Sequence, residues 1–282
     1  MTTMTRTAAH GTRPAATRTP TTRRAAAVAA QTWYMTARQL KVFLKQPAYL
    51  VVTLIQPVVW LFLFGALFRR TADLPGFGGG SYLGYLVPGV IVMTAASANM
   101  WAGMGTLEEI ERGTLNRFLV TPVSRSALLN ANVVSQGLTT ALQSLIIIGL
   151  GALGGARYQG GALGLLVLVL ASSVLGTLFG AFSNALGMLV RDRESIIGFN
   201  TFLLLPLTFL SSAFLPTAMM PHWMQRVARF NPMNWALESA RAVMRPSPDW
   251  WSAGTHGGWL LALAVVAVVL SLRTFRAYQR SV

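Results

Sequence analysis

Few side chains in this chain are of a type that does covalent or acid–base chemistry, and none is spaced for it. Glu108, Glu109 and Glu111 form the densest acidic cluster, followed by Arg112 and Arg117. Paired carboxylates act as general acid and base when a pocket drives their proton affinities apart. Here no histidine or further acid stands nearby to complete such a site or a metal-ligand set. The histidines His10, His222 and His256 are isolated, and there is no cysteine, which excludes disulfides, thiolate ligands and a Cys nucleophile. A P-loop needs Gly-Lys followed by Ser or Thr, because the lysine reaches the phosphates. The two lysines, Lys41 and Lys45, each follow a leucine, so the chain is not a P-loop ATPase. The run Gly76-Phe77-Gly78-Gly79-Gly80 reads as a flexible turn ahead of Ser81-Tyr82. No Ser-His-Asp order with a nucleophile elbow is present. These residues predict a chain that catalyses nothing itself and holds no metal or cofactor.

The elements around them belong to a membrane. Of 282 residues, 53% are hydrophobic and 11% charged, with a mean hydropathy of +0.51. Soluble domains carry roughly 25% charged residues. The net charge of +15 would suggest nucleic acid in a soluble protein. Beside apolar spans it suggests basic flanks facing anionic lipid, and no nucleic-acid partner is expected. About 20 apolar residues cross a bilayer core, and six stretches qualify: about 48–68, 82–104, 128–152, 162–190, 196–215 and 256–273. None has a charge in its middle. The polar side chains within them are Gln56, Asn99, Gln136, Gln143, Asn184 and Asn200. With six spans both termini share a side. That side holds 16 Lys and Arg against 7 opposite, which predicts cytoplasmic termini.

Residues 1–30 are rich in Thr, Ala and Arg with no acid, a composition that predicts a disordered basic tail or a tether to anionic lipid. In 31–46, Trp33, Ala37, Leu40 and Leu44 share one helical stripe and Arg38, Lys41 and Lys45 another. That predicts an amphipathic interfacial helix, or a plain membrane flank, ending at Pro47. The loop after the second span, 105–127, holds too many charges to insert: each central charge costs about 2.5–3.5 kcal/mol. Its helical pattern runs to Gly113, Ile110, Leu115, Phe118 and Leu119 offer an apolar face, and Pro122 closes it. Mixed charge and apolar residues together fit a docking surface. The other cytoplasmic loop is the short Arg191-Asp192-Arg193-Glu194-Ser195.

The run Glu111-Arg112-Gly113-Thr114-Leu115, then Arg117 and Val120-Thr121-Pro122-Val123-Ser124, resembles the signature of ABC-2 type permeases, the membrane subunits of ABC exporters. Gln56-Pro57 with Leu63-Phe64-Gly65 fits that family's first span, and Tyr85-Leu86-Val87-Pro88-Gly89 its second. Phe214-Leu215-Pro216, Pro221, Trp223, Asn231-Pro232 and Arg241 fit its last extracytoplasmic segment. The resemblance covers about residues 31–275. It implies an all-α integral membrane fold in the bacterial cytoplasmic membrane, with an ABC-2 type transmembrane domain over 31–282 after the tail. It implies a cytoplasmic coupling helix carrying Glu108, Glu111, Arg112, Gly113, Thr114, Leu115, Arg117 and Pro122, with Glu111 pairing with the ATPase. Arg191, Asp192, Arg193 and Glu194 form a second contact. The implied partners are a separate ATPase subunit, which would bind ATP and Mg, a second permease copy (the same or a related chain) and membrane lipid.

Between spans five and six, Trp223, Met224, Val227 and Phe230 share a face, Asn231-Pro232 breaks the helix, and a second helical pattern runs from Trp235 to Met244. This predicts short amphipathic helices anchored at the outer interface, or a plain aromatic belt. The resemblance implies that they dip back into the membrane and roof the pathway, as a gate that includes Phe214, Pro216, Trp223, Asn231 and Pro232. Gln56, Asn99, Gln143, Asn184 and Asn200 are candidate pathway residues if their polar faces point inward. Glycines 149, 151, 154 and 155, and 176, 180 and 187, predict close helix contacts within one chain or between two. An uncharged, mostly apolar pathway suits hydrophobic or amphipathic molecules. The compact length looks most like drug- and antibiotic-resistance permeases of the daunorubicin type, with export of polysaccharide or lipid-linked glycan as the alternative. From another class, a secondary carrier or pore lacks the intramembrane acids and bases such carriers use, and a membrane scaffold would not need the docking loop.

Overall fold

The computed structural model describes residues 47–68, 82–111, 125–158 and 160–281, with positions 33, 34 and 37. The tail, nearly all of the expected basic helix at 31–46, the glycine run at 76–80, and Arg112, Gly113, Thr114, Leu115, Arg117 and Pro122 lie outside the described residues. Everything described is helix, turn or loop, and there is no strand among the described residues. Helix α1 (Pro47–Val59) continues as a π-helical segment, Trp60–Phe64, and a last α turn, Gly65–Leu67. Then follow α2 (Tyr82–Met100), α3 (Ala102–Glu111), α4 (Arg125–Leu153), α5 (Gly161–Val190) and α6 (Arg193–Phe209). The chain ends with α7 (His222–Ala228), α8 (Pro232–Met244) and α9 (Trp250–Ser281).

Four helices among the described residues are long and apolar enough to cross a membrane: Tyr82–Glu108, Val133–Leu153, Gly161–Val190 and Trp250–Ala277. The apolar part of the first helix, Thr53–Leu67, is shorter. So is α6, which ends at Phe209 rather than reaching 215, three residues after its internal Pro206. The second span is not one rod: Trp101 forms a turn between α2 and α3. The helix expected as the sixth span begins at Trp250, earlier than the apolar run at 256, because Asp249 accepts from the Ser252 amide at 3.0 Å and starts the helix in polar sequence.

Helix α5 is the hub, packed against α2, α3, α4, α6, α8 and α9. Lipid tails are as apolar as leucine, so helices in a bilayer associate through close backbone approach and interhelical hydrogen bonds. Gly176, Gly180, Ser183 and Gly187 supply both on one face of α5. A Cβ on Gly187 would stand 2.6 Å from the Gly103 carbonyl oxygen, so α3 and α5 cross backbone to backbone. One on Gly176 would meet Thr140 and Asn99, and one on Gly180 would meet Gln136. These glycines therefore pack within one chain.

Helix α8, drawn from sequence as a pattern from Trp235 to Met244, spans Pro232–Met244. It is not a helix with one free polar face. It is inserted among α2, α5 and α9, burying Met233, Ala236, Leu237, Ala240 and Val243. Its polar residues are accommodated by partners far away in sequence, which no local pattern reveals. Helix α7 leaves Trp223 and Val227 exposed, and Phe230 just after it is exposed as well.

Candidate functional site

Two polar assemblies stand at opposite ends of the bundle. At one end, α5 stops at Arg191, which takes a left-handed conformation (φ 54°) and donates its amide to the Gly187 carbonyl at 3.2 Å. Asp192 then caps α6, accepting from the Ser195 amide at 2.8 Å. Hydrogen bonding by Ser195, first through its side chain and then through this amide, holds the Asp192 carboxyl below its ordinary value. The turn so fixed presents Arg193 to Glu111, the last described residue of α3. The guanidinium donates through Nε at 3.3 Å and through Nη2 at 2.5 Å, a two-point pair. Glu111 keeps the Arg193 proton affinity raised, first through the hydrogen bond and then through its charge, with a smaller part from Glu108. Both side chains are about half exposed, 48% and 47%.

Behind this pair, α3 is bound to α5. Ser183 donates to the Met100 carbonyl and accepts from the Gly103 amide at 2.9 Å. Thr106 donates to Asn184 Oδ1 at 2.8 Å. Asn200 of α6 donates to the same Met100 carbonyl at 2.7 Å. Three helices thus meet at the α2–α3 turn.

At the other end, Arg241 of α8 donates through Nη1 to the Ser212 carbonyl at 2.7 Å and to the Ser212 and Tyr85 hydroxyls at 3.0 Å each. Nη2 donates to the Tyr85 carbonyl at 3.1 Å, and the guanidinium carbon lies 3.9 Å from the Tyr85 ring centroid. The Tyr85 hydroxyl donates in turn to the Ser212 carbonyl at 2.9 Å. Asn231 caps α8 by accepting from the Met233 amide at 2.9 Å, while its amide group donates to the carbonyls of Leu207 and Leu210. Those two carbonyls are freed where α6 ends. Phe214 sits among Trp60, Phe64 and Phe209, with ring centroids 5.4, 5.4 and 6.1 Å away.

An ABC-2 type transporter model matches residues 30–244. The chain belongs to the ABC-2 type transporter family. It is 28% identical over 243 residues to the daunorubicin resistance ABC transporter permease protein DrrB1 of Streptomyces coeruleorubidus, covering 85% of this chain and 83% of that one. It is 21% identical over 268 residues to DrrC of Mycobacterium tuberculosis, named for doxorubicin resistance as an ABC transporter permease, at 95% of each chain. The inner membrane transport permease YadH of Escherichia coli is 26% identical over 200 residues, 68% of this chain and 75% of that protein. This is a multi-pass membrane protein of a family of ABC transporter permeases.

Within the family frame, the residues singled out from sequence fall into three groups. Glu108 and Glu111 sit on α3, and Glu111 is joined to Arg193, so the two segments that sequence treats as separate contacts meet. Among the polar span residues, Asn99, Gln143, Asn184 and Asn200 are buried; Asn99 bonds to Thr140 at 2.9 Å, Asn184 to Thr106 and Asn200 to Met100. Gln56 alone among the five pathway candidates is exposed. Of the gate residues, Asn231 joins the end of α6 to α8 with Pro232 beside it, Phe214 packs on Trp60, Phe64 and Phe209, Pro216 lies two residues after Phe214, and Trp223 stands apart with 56% exposure. The residues that bind α3 to α5, Ser183 and Gly103 with Thr106, were not picked out. The spacing Gly176, Gly180, Ser183, Gly187 was the available signal.

Proposed function

We propose that the chain is the non-catalytic membrane subunit of an ATP-driven exporter, with six spans, a tail over 1–30, a transmembrane domain over 31–282 and both termini in the cytoplasm. ATP and Mg would be bound by a separate ATPase subunit. The observation that carries this reading is the Glu111–Arg193 pair backed by the α3–α5 crossing. A push delivered at Glu111 meets a helix that cannot slide on α5 without breaking the Ser183 and Thr106 bonds. Movement of a docked ATPase would reach the hub helix by that route. Glu108, Glu111, Arg112, Gly113, Thr114, Leu115, Arg117 and Pro122 form the docking surface in this reading, with Arg191 to Glu194 beside them.

Two permease copies would make the complete pathway. Helix α6 buries only Ile196 and Asn200 and leaves Phe199, Phe202, Leu205 and Phe209 exposed, while Gln56 stands exposed on α1. A polar amide on an otherwise apolar outer face favours a lined pathway over lipid. The names of DrrB1 and DrrC favour a hydrophobic or amphipathic drug-like substrate.

The test is co-purification with the candidate ATPase, then ATP-dependent uptake of a fluorescent anthracycline into inside-out proteoliposomes. Glu111→Arg should abolish uptake and weaken ATPase binding by at least about 30-fold, the lower end for truncating one partner of a buried interface pair. Arg6→Ala should change neither. Full uptake and assembly in Glu111→Arg would remove this surface as the coupling element.

A further inference from the structure

Helices α5, α6 and α9 leave between them an apolar groove of about 500 Å3. Phe182 and Leu186 form one wall, Leu203 and Leu207 a second, Val266 and Leu270 a third. The single polar lining residue is Thr274, near the far end of α9. From Leu263 to Thr274 the groove follows eleven residues of helix, about 16 Å at 1.5 Å each. That is half of a hydrocarbon core about 30 Å thick, the depth of one leaflet. Pro232 lines it towards the bundle's other end and Leu189 towards the Glu111–Arg193 end.

On α9 the charge at the Thr274 mouth is one-sided. Arg273 flanks the lining stripe of α9 and is exposed, Arg276 follows, and α9 carries no acid. Of the acids towards that end, Glu111 holds Arg193 and Asp192 caps Ser195, while Glu108 stands on α3 and Glu194 in the first turn of α6. The first turns of α6 lean on α2 through Asn200 and Met100, not on α9. Basic groups between membrane helices at headgroup level select anionic lipid headgroups, and an apolar groove left empty forfeits the dispersion contacts of its walls. We infer that this groove binds one acyl chain of an anionic phospholipid, with its phosphate at Arg273.

The test uses the purified full chain in phosphatidylcholine nanodiscs doped with a small, equal fraction of either phosphatidylglycerol or phosphatidylcholine bearing a diazirine on the acyl chain. Labelled peptides are mapped by mass spectrometry. The expected result is labelling of 178–189 and 263–274, about fivefold stronger from phosphatidylglycerol, the weight of one basic residue near an anionic surface. Arg273→Glu should bring the two lipids level with the melting temperature unchanged. Val266→Trp, at a half-exposed position, should fill the groove and remove the α5 label. Equal labelling by both lipids in the wild type would overturn the inference. So would loss of label to added anthracycline, which would make the groove a substrate site. So would absence of label together with Leu270→Cys cross-links between copies, which would assign it to a second subunit.

Discussion

The two ends of the bundle are held by arginines of contrary kinds. Arg241 has no acid as a hydrogen-bond partner; four of its contacts go to carbonyls and hydroxyls of Tyr85 and Ser212, and a fifth to a ring face. Removing it would strip partners from several groups at once, and water reaches them poorly. Arg193 has one acid partner, Glu111, and both are half in solvent. Exposed pairs of that kind contribute little to stability, because water replaces either partner. The difference suits a device worked from one end. The Arg241 end is a fixed frame joining α2, α8 and the segment after α6. The Glu111 end is joined by a contact that an incoming protein can exchange without unfolding anything. The same comparison sets the order in which substitutions should hurt.

The largest effect belongs to Arg241→Ala. Hydrogen bonds from a charged donor to partly buried acceptors contribute about 1.5–3 kcal/mol, and the loss here of several coupled ones should cost about 3 kcal/mol. For a chain of this size that corresponds to a melting temperature lower by roughly 6–12 °C, read by thermal unfolding of the purified protein. Arg241→Lys should recover a minor part, since an ammonium cannot reach Tyr85 and Ser212 with a planar fork. A drop in Arg241→Ala of only a degree or two would mean that the two ends are equally loose.

Gly187→Val comes next and tests the route between the ends. Its Cβ would press on the Gly103 carbonyl, and overpacking of this kind costs about 1–3 kcal/mol. The added bulk should part α3 from α5, so uptake should fall further than stability does, with ATPase still bound. Gly149→Val adds the same bulk where nothing lies within 4 Å of a Cβ, and should leave both uptake and stability near wild type.

How far the sequence reached follows the same division. Helix α5 was legible because its run is continuously apolar and its small residues recur on one face; it was drawn at 162–190 and begins at Gly161. The Phe214 and Asn231 region was marked by resemblance, and the structure supplies its contacts. Helix α8 was legible as a pattern from Trp235 to Met244, but the partners of its polar residues were not. Asn234 is satisfied by the Ser212 amide, Ser239 by the Ala253 carbonyl and Arg241 by Tyr85, 156 residues away. Glu111 and Arg193 are 82 residues apart, and each alone reads as an ordinary loop charge. Periodicity reports which face is apolar; it cannot name the partner of a polar residue.

The smallest effect lies at the exchangeable end, in the pH dependence of the turn that aims Arg193. The Ser195 side chain, and after it the Ser195 amide, bonds to the ionised Asp192 carboxylate, so the folded proton affinity lies below that of the unfolded chain. A group depressed in this way stabilises the folded turn above the unfolded carboxylate value of about 3.9. That contribution fades as pH falls through the lower folded value. Amide exchange over 193–197, corrected for the intrinsic rate, should therefore accelerate as pH drops below about 4. Asparagine caps a helix about as well as aspartate but does not titrate. Asp192→Asn should thus match wild-type protection at neutral pH and keep it on acidification, and the melting temperature should hardly move. If both proteins lose protection together, the acid response of this end comes from Glu111 leaving Arg193, and the cap plays no part in presenting the pair.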